Sequence, residues 1–117
     1  MVRVGRVYDE VDDESRRVLV DRLWPRGIRK DDARIDEWLP LVAPTTELRH
    51  WYGHREEAFD EFARRYEAEL ADGEQADAFA RLAALVDHEP TTLVTATREV
   101  ELSHLTVLSR LLDERTR

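Results

Sequence analysis

Three stretches of the chain are patterned as strands, and most of the rest as amphipathic helices. Arg3–Tyr8 (Arg-Val-Gly-Arg-Val-Tyr) is short, partly alternating and rich in strand formers. Arg17–Leu23 contains the continuous apolar run Val18-Leu19-Val20, the pattern of a strand buried on both faces. Trp24-Pro25-Arg26-Gly27 stops it, because Pro25 lacks an N–H and Gly27 permits a turn. Thr91–Thr97 is the third strand. Between the second and third strands, Ile35, Trp38, Leu39 and Val42 recur at i, i+3, i+4, i+7 behind Asp31-Asp32, which predicts a helix. Thr45 is placed to N-cap a short helix with Leu48, Trp51 and Tyr52 on its inner face, and Gly53 suits its C′ position. A longer helix starts near Arg55, carries Phe59, Phe62, Tyr66 and Leu70, and ends at Asp72-Gly73. Ala76, Phe79, Leu82, Ala83 and Val86 form another, stopped before Pro90, and Leu102, Leu105, Leu108, Leu111 and Leu112 stripe a closing one. Strands separated by helices predict an α/β fold: a small, mainly parallel three-stranded sheet with packed helices, in a single domain over residues 1–117. A sheet this small leaves an edge open that a homodimer could use.

Composition narrows the function classes. At 117 residues and 42% hydrophobic, the chain can bury a core, which excludes a disordered acidic polymer despite 38% charged residues. It has no cysteine, which removes disulfides, thiolate metal sites and cysteine nucleophiles. The net charge of −8 opposes tight general binding of nucleic acid. No apolar run approaches the ~18 residues of a membrane span, and Met1–Arg6 carries no apolar signal segment, so a cytoplasmic protein is expected. The charge is unevenly spread. Asp9–Glu14 holds five acids (Asp9, Glu10, Asp12, Asp13, Glu14) and reads as a solvated loop. Ser15–Lys30 holds Arg16, Arg17, Arg22, Arg26, Arg29 and Lys30 against Asp21 alone, a local +5.

Topology then selects candidate residues. In open α/β sheets, ligands bind outside the carboxyl ends of the strands. If the three strands are parallel, that rim collects Tyr8 from the first, Asp21, Arg22, Trp24 and Arg26 from the second, and Arg98 and Glu99 from the third. Arginine forks match phosphate and carboxylate oxygens, so Arg22 and Arg26 are candidates for anion binding. The structural alternative pairs Arg22 with Asp21 or Glu99 as a staple between strand ends. Trp24-Pro25 offers a stacking surface for a base or sugar, against the commoner role of a tryptophan as core. Imidazole as a class titrates near neutrality, which makes His54 a candidate acid, against a structural role at the helix junction. His88 reads as surface and His104 as a helix-edge residue. His50 and His54 are four apart, but Gly53 interrupts the helix between them and no third ligand has matching spacing, so no metal is expected. With four glycines, there is neither a G-x-G-x-x-G nor a phosphate-loop motif, and no nucleophile elbow surrounds Ser15, Ser103 or Ser109. No cofactor is expected.

The string Val-Leu-Val-Asp-Arg-Leu-Trp-Pro-Arg-Gly over Val18–Gly27 resembles the YeaO-like bacterial and archaeal proteins, a short branch of a family of domains of unknown function. The likeness continues through Asp36–Leu39, Ala43-Pro44, Glu47–Arg49, Trp51–His54, Phe62, Arg65-Tyr66, Glu69-Leu70 and Thr92–Val94, nearly the whole chain. It implies a small α/β fold and no particular reaction. It marks Asp21, Arg22, Trp24, Pro25, Arg26, Gly27, Arg49, Trp51 and His54 as motif positions. After the third strand, such relatives carry a basic residue and Asp, followed shortly by His-Asn. Here Arg98 and Glu99 keep the charges, Leu102-Ser103 replaces His-Asn, and His104 stands one residue on. A helical turn of ~100° per residue would aim His104 elsewhere.

Together these readings predict a pocket for an anionic small molecule such as a nucleotide or phosphate ester, with or without turnover. Arg22, Arg26, Arg49 and Arg98 would hold the anion, Trp24 and Tyr8 would line the site, Glu99 or Asp21 would orient the arginines or act as base, and His54 would be the acid. The alternatives are a dimeric interaction module whose arginines form structural ion pairs, and contact with a single-stranded nucleic acid or base through Trp24.

Overall fold

The computed structural model describes residues 2–11 and 13–115; Asp12 of the acidic loop lies outside them. Four strands form one sheet: β1 (Arg3–Arg6), β2 (Arg16–Leu19), β3 (Glu37–Trp38) and β4 (Thr91–Thr95). Their order across the sheet is β1-β4-β2-β3, and every pairing is parallel. The four helices are α1 (Thr46–Tyr52), α2 (Phe59–Glu69), α3 (Gly73–His88) and α4 (His104–Arg115). The expected α/β class is present, with one strand more than the apolar pattern predicted.

The added strand stands where a helix over Ile35–Val42 was expected. Pro40 explains the difference. It disfavours helical geometry at Leu39, which adopts φ −119°, ψ 75°, and Pro40 itself opens a 3-10 turn over Pro40–Val42. The chain before it pairs with β2 instead: Asp36 N–H donates to the Arg17 carbonyl at 2.8 Å and Leu39 N–H to the Leu19 carbonyl at 2.9 Å. Trp38, expected to face inward from a helix, is half exposed on this edge strand. The expected second strand also ends earlier, at Leu19 rather than Leu23, because the chain leaves the sheet beyond Val20.

Strand alternation sends successive residues of the central strands to opposite faces. Val18 and Leu93 join the larger core with Tyr52, Phe62, Tyr66, Leu82, Leu105 and Leu108, so all four helices cover that face. Leu19 and Val94 point the other way, to Val7, Ile28 and Ile35, with Trp24 packed beside them. That second face is closed by the long segment between β2 and β3, not by a helix. Both faces of the central strands are therefore buried, as the unbroken Val-Leu-Val run requires.

The helix-start and helix-stop signals act as their chemistry predicts around α1. Thr45 Oγ1 accepts from the Leu48 N–H at 3.2 Å, and Gly53 takes the left-handed conformation (φ 54°) with its N–H bonded to the Arg49 carbonyl. Glu69, at the end of α2, accepts from both the Thr45 N–H (3.0 Å) and the Thr45 hydroxyl (2.6 Å). Tyr66 is fully buried and donates to the Val42 carbonyl at 2.5 Å. These contacts set α1 and its following loop at a fixed height above the carboxyl ends of the strands. No helix among the described residues is long and apolar enough to cross a membrane.

Candidate functional site

A cleft of about 710 Å³ opens at the carboxyl end of the sheet, where the rule for parallel α/β sheets places ligands. Tyr8 reaches it from beyond β1, and Asp21, Arg22, Trp24, Pro25 and Arg26 from beyond β2. Ala96 and Thr97 follow β4, while α1 and its C-terminal turn add Arg49, His50, Tyr52 and His54. Ser103 and His104, at the start of α4, complete it. Seven of the residues singled out from sequence are thus brought together: Tyr8, Asp21, Arg22, Trp24, Arg26, Arg49 and His54.

Two are not. Arg98 and Glu99 are exposed and do not line the cleft. Arg98 and Glu99 would reach the rim only if the chain left β4 in the strand direction. Instead the chain bends after Thr95 into a 3-10 turn at Val100–Leu102, which carries Arg98 and Glu99 past the opening. The same turn delivers His104. Position 102 lies in the 3-10 turn and α4 begins at His104, so no helical rotation relates the two positions, and His104 is not turned away from the cleft. Its ring lies in the cleft wall, edge-on to Tyr66 at 6.0 Å. A sequence signal existed: His104 precedes Leu108 by four and Leu111 by seven, on the inward stripe of its helix.

The arginines divide sharply. Nine arginines of the described residues stand in ion pairs with carboxylates: Arg3, Arg16, Arg29, Arg34, Arg64, Arg65, Arg81, Arg110 and Arg115. Arg6, Arg17, Arg22, Arg26, Arg49, Arg55 and Arg98 do not, among the described residues, and of these Arg22, Arg26 and Arg49 line the cleft. The expected staple from Arg22 to Asp21 or Glu99 is absent. Arg22 instead donates from Nε to the Pro44 carbonyl (3.2 Å) and from a terminal nitrogen to the Ala43 carbonyl (3.1 Å). It fastens the loop before α1 to the end of β2 while keeping its charge uncompensated. Arg26 is exposed, and its backbone carbonyl accepts from the Tyr8 hydroxyl at 3.0 Å. Arg49 is exposed on α1.

Asp21 is the one carboxylate in the cleft wall, and it is engaged. Oδ1 accepts from the Thr95 hydroxyl and Oδ2 from the Ala96 N–H, each at 2.8 Å, so Asp21 ties the end of β2 to the end of β4. His104 Nε2 lies 2.8 Å from the Val20 carbonyl and 3.5 Å from Asp21 Oδ1. Burial drives the His104 pKa below the ordinary histidine value of 6.5; the Asp21 charge and the Val20 carbonyl oppose this, and Arg49 and His54 add to it. The unfolded chain therefore binds a proton more readily than the folded one as pH falls below 6.5. Stability from this group is present above that pH and lost as pH drops through the folded-state value. Urea unfolding at pH 7.5 and 5.5 should show a loss in the wild type that is smaller in His104→Gln; equal losses would contradict it.

Trp24 is used mainly for packing. Its indole N–H donates to the Ile28 carbonyl at 2.7 Å and its ring meets Trp38 edge-on at 5.5 Å. Tyr52 is buried against Phe62 (4.2 Å between ring centres) and donates to the Leu102 carbonyl, which holds α1 to the turn before α4. His54 is exposed and takes a left-handed backbone conformation, φ 56°, directly after left-handed Gly53. That conformation is uncommon for a residue with a Cβ. Ser103 is buried and its hydroxyl donates to the Val100 carbonyl, so it offers no free nucleophile. No group of three His, Asp or Glu among the described residues is placed to hold a metal ion.

A family model described as the inactive DUF488-N3 subclade matches residues 1–117. An uncharacterized protein of Mycobacterium tuberculosis is 54% identical over 115 residues, covering 97% of this chain and 95% of its own. An uncharacterized protein of Mycobacterium bovis matches to the same extent. The uncharacterized protein YeaO of Escherichia coli is 38% identical over 109 residues, 92% of this chain and 93% of its own. No solved structure matches the chain.

Proposed function

The chain belongs to the YeaO-like domains of unknown function, in the inactive DUF488-N3 subclade, and from that premise we propose that its strand-end cleft binds an anionic small molecule, such as a nucleotide or phosphate ester, in the cytoplasm. The observation that carries this reading is the charge of the cleft wall. Three arginines face one aspartate there, in a chain of net −8, and none of the three has a carboxylate partner among the described residues. Uncompensated guanidinium groups beside a concave surface attract anions and hold them in bidentate geometry. Asp21 offsets one of the three positive charges and leaves the wall net positive, and its two oxygens are turned to the Thr95 hydroxyl and the Ala96 N–H rather than to an arginine.

Binding without turnover is favoured over catalysis. The subclade is described as inactive, the Ser103 hydroxyl is engaged, and Glu99, one of the proposed bases, stands outside the cleft. The rival reading, a dimeric module with structural ion pairs, has less support, because none of the three cleft arginines is held in an ion pair among the described residues. Contact with a nucleic-acid base through Trp24 has less support, since its indole N–H and ring are already occupied.

A thermal-shift panel of inorganic phosphate, nucleoside monophosphates, sugar phosphates and dicarboxylates tests the proposal. A ligand at a hundred times its Kd should stabilise the fold by about 2.7 kcal/mol. A rise in Tm with at least one class of anion is expected; no response to any of them would overturn the reading.

A further inference from the structure

The cleft holds one group that an anion alone does not suit. His104 Nε2 lies 2.8 Å from the Val20 carbonyl oxygen. A carbonyl can only accept, so this nitrogen carries the proton and donates it. Asp21 Oδ1, 3.5 Å from the same nitrogen, favours the same tautomer. In a neutral ring the second nitrogen, Nδ1, then presents a lone pair. Nδ1 makes no hydrogen bond to any described residue and is not among the sealed, unpartnered polar atoms, and the ring lines the cleft. The cleft therefore sets a fixed acceptor among the donors of Arg22, Arg26 and Arg49. A bare carboxylate or phosphate oxygen against that lone pair is repelled, whereas a hydroxyl or N–H satisfies it.

We propose that His104 Nδ1 accepts a hydrogen bond from the ligand, so that the cleft selects anions carrying a hydroxyl or N–H group near the charged end. This rests on the anion-binding reading above and specifies its ligand class: hydroxylated phosphate esters and hydroxy acids over their plain alkyl counterparts. His104 is thus a specificity-determining residue, and the arginines supply the charge attraction common to both classes.

The test is calorimetric titration of matched pairs at pH 8, where a phosphate monoester is almost wholly dianionic and carries no P–OH donor of its own. Glycerol 3-phosphate is compared with propyl phosphate, and lactate with propionate. In the wild type the hydroxylated member should bind about tenfold tighter, the value of one satisfied hydrogen bond to an otherwise stranded acceptor. His104→Gln keeps an N–H donor near the Nε2 position and loses the ring nitrogen at Nδ1, and the preference should fall to about twofold or less. His104→Asn, whose amide oxygen stands near the Nδ1 position, should keep most of it. Equal binding of both members by the wild type overturns the His104 inference and leaves the anion cleft standing. A preference that survives unchanged in His104→Gln also overturns it. Failure of all four probes to bind the wild type also overturns the His104 inference, while the anion cleft then stands or falls with the wider panel of anions.

Discussion

Replacing Asp21 with alanine should destabilise the protein by about 3–4 kcal/mol, the largest effect expected of any single polar substitution in the cleft. Its carboxylate accepts from the Thr95 hydroxyl and from the Ala96 N–H, and it stands against the Nε2 face of His104. Hydrogen bonds to a charged group contribute about 1.5–3 kcal/mol each, and the deletion leaves both donors without their acceptor. Asp21 also closes the carboxyl end of the β2–β4 pair, the two central strands of the sheet. In a domain of this size the loss corresponds to roughly a 12 °C fall in Tm. Asp21→Asn should lose about half as much, because one of its positions becomes a donor facing a donor. A loss below about 1 kcal/mol for Asp21→Ala would show that the carboxylate is not the anchor its geometry indicates. The same result would bear on function. Asp21 is a candidate base by residue type, and the structure gives it a strand-joining task that engages both oxygens.

The double substitution Arg26→Ala/Arg49→Ala should do the opposite: weaken anion binding by about a hundredfold while leaving stability within about 0.5 kcal/mol of wild type. Both side chains are exposed and neither has a carboxylate partner among the described residues. Nothing is stranded by their removal. Each guanidinium lost from an anion removes a charge-assisted contact, and two such losses account for the factor. Arg22 is the wrong residue for this test, because it also holds the Ala43 and Pro44 carbonyls; Arg22→Ala should cost about 1–3 kcal/mol in addition to any effect on ligand. Calorimetry with the strongest-responding anion, run beside melting curves, separates the two effects. An unchanged affinity in the double variant would remove Arg26 and Arg49 from the site.

Much of this architecture is legible in the amino-acid order where a local rule coincides with the tertiary demand. Val18-Leu19-Val20 is apolar on both faces because helices cover one and the β2–β3 segment covers the other. Thr45 and Gly53 bound α1 because capping and left-handed geometry are properties of single residues. The strand-end rule collected Tyr8, Asp21, Arg22, Trp24 and Arg26 because the sheet is wholly parallel. Where the reading departs from the structure, a short irregular segment decides. β3 has two residues, too few for any periodicity, and the accidental helical spacing of Ile35, Trp38, Leu39 and Val42 masked it. The turn at Val100–Leu102 redirects the chain after β4, which excludes Arg98 and Glu99 and brings in His104. No composition or spacing rule sets the direction of such a turn; it is fixed by long-range contacts such as Tyr52 to the Leu102 carbonyl and His104 to the Val20 carbonyl.

The central claim, that this cleft holds a small anion, is tested most directly by a crystal structure of the protein grown with the anion that stabilises it most. Density for the ligand is expected at the carboxyl end of the sheet, with its charged group within hydrogen-bonding distance of Arg26 or Arg49. Density elsewhere on the molecule, or a cleft filled by water alone at saturating anion, would contradict it.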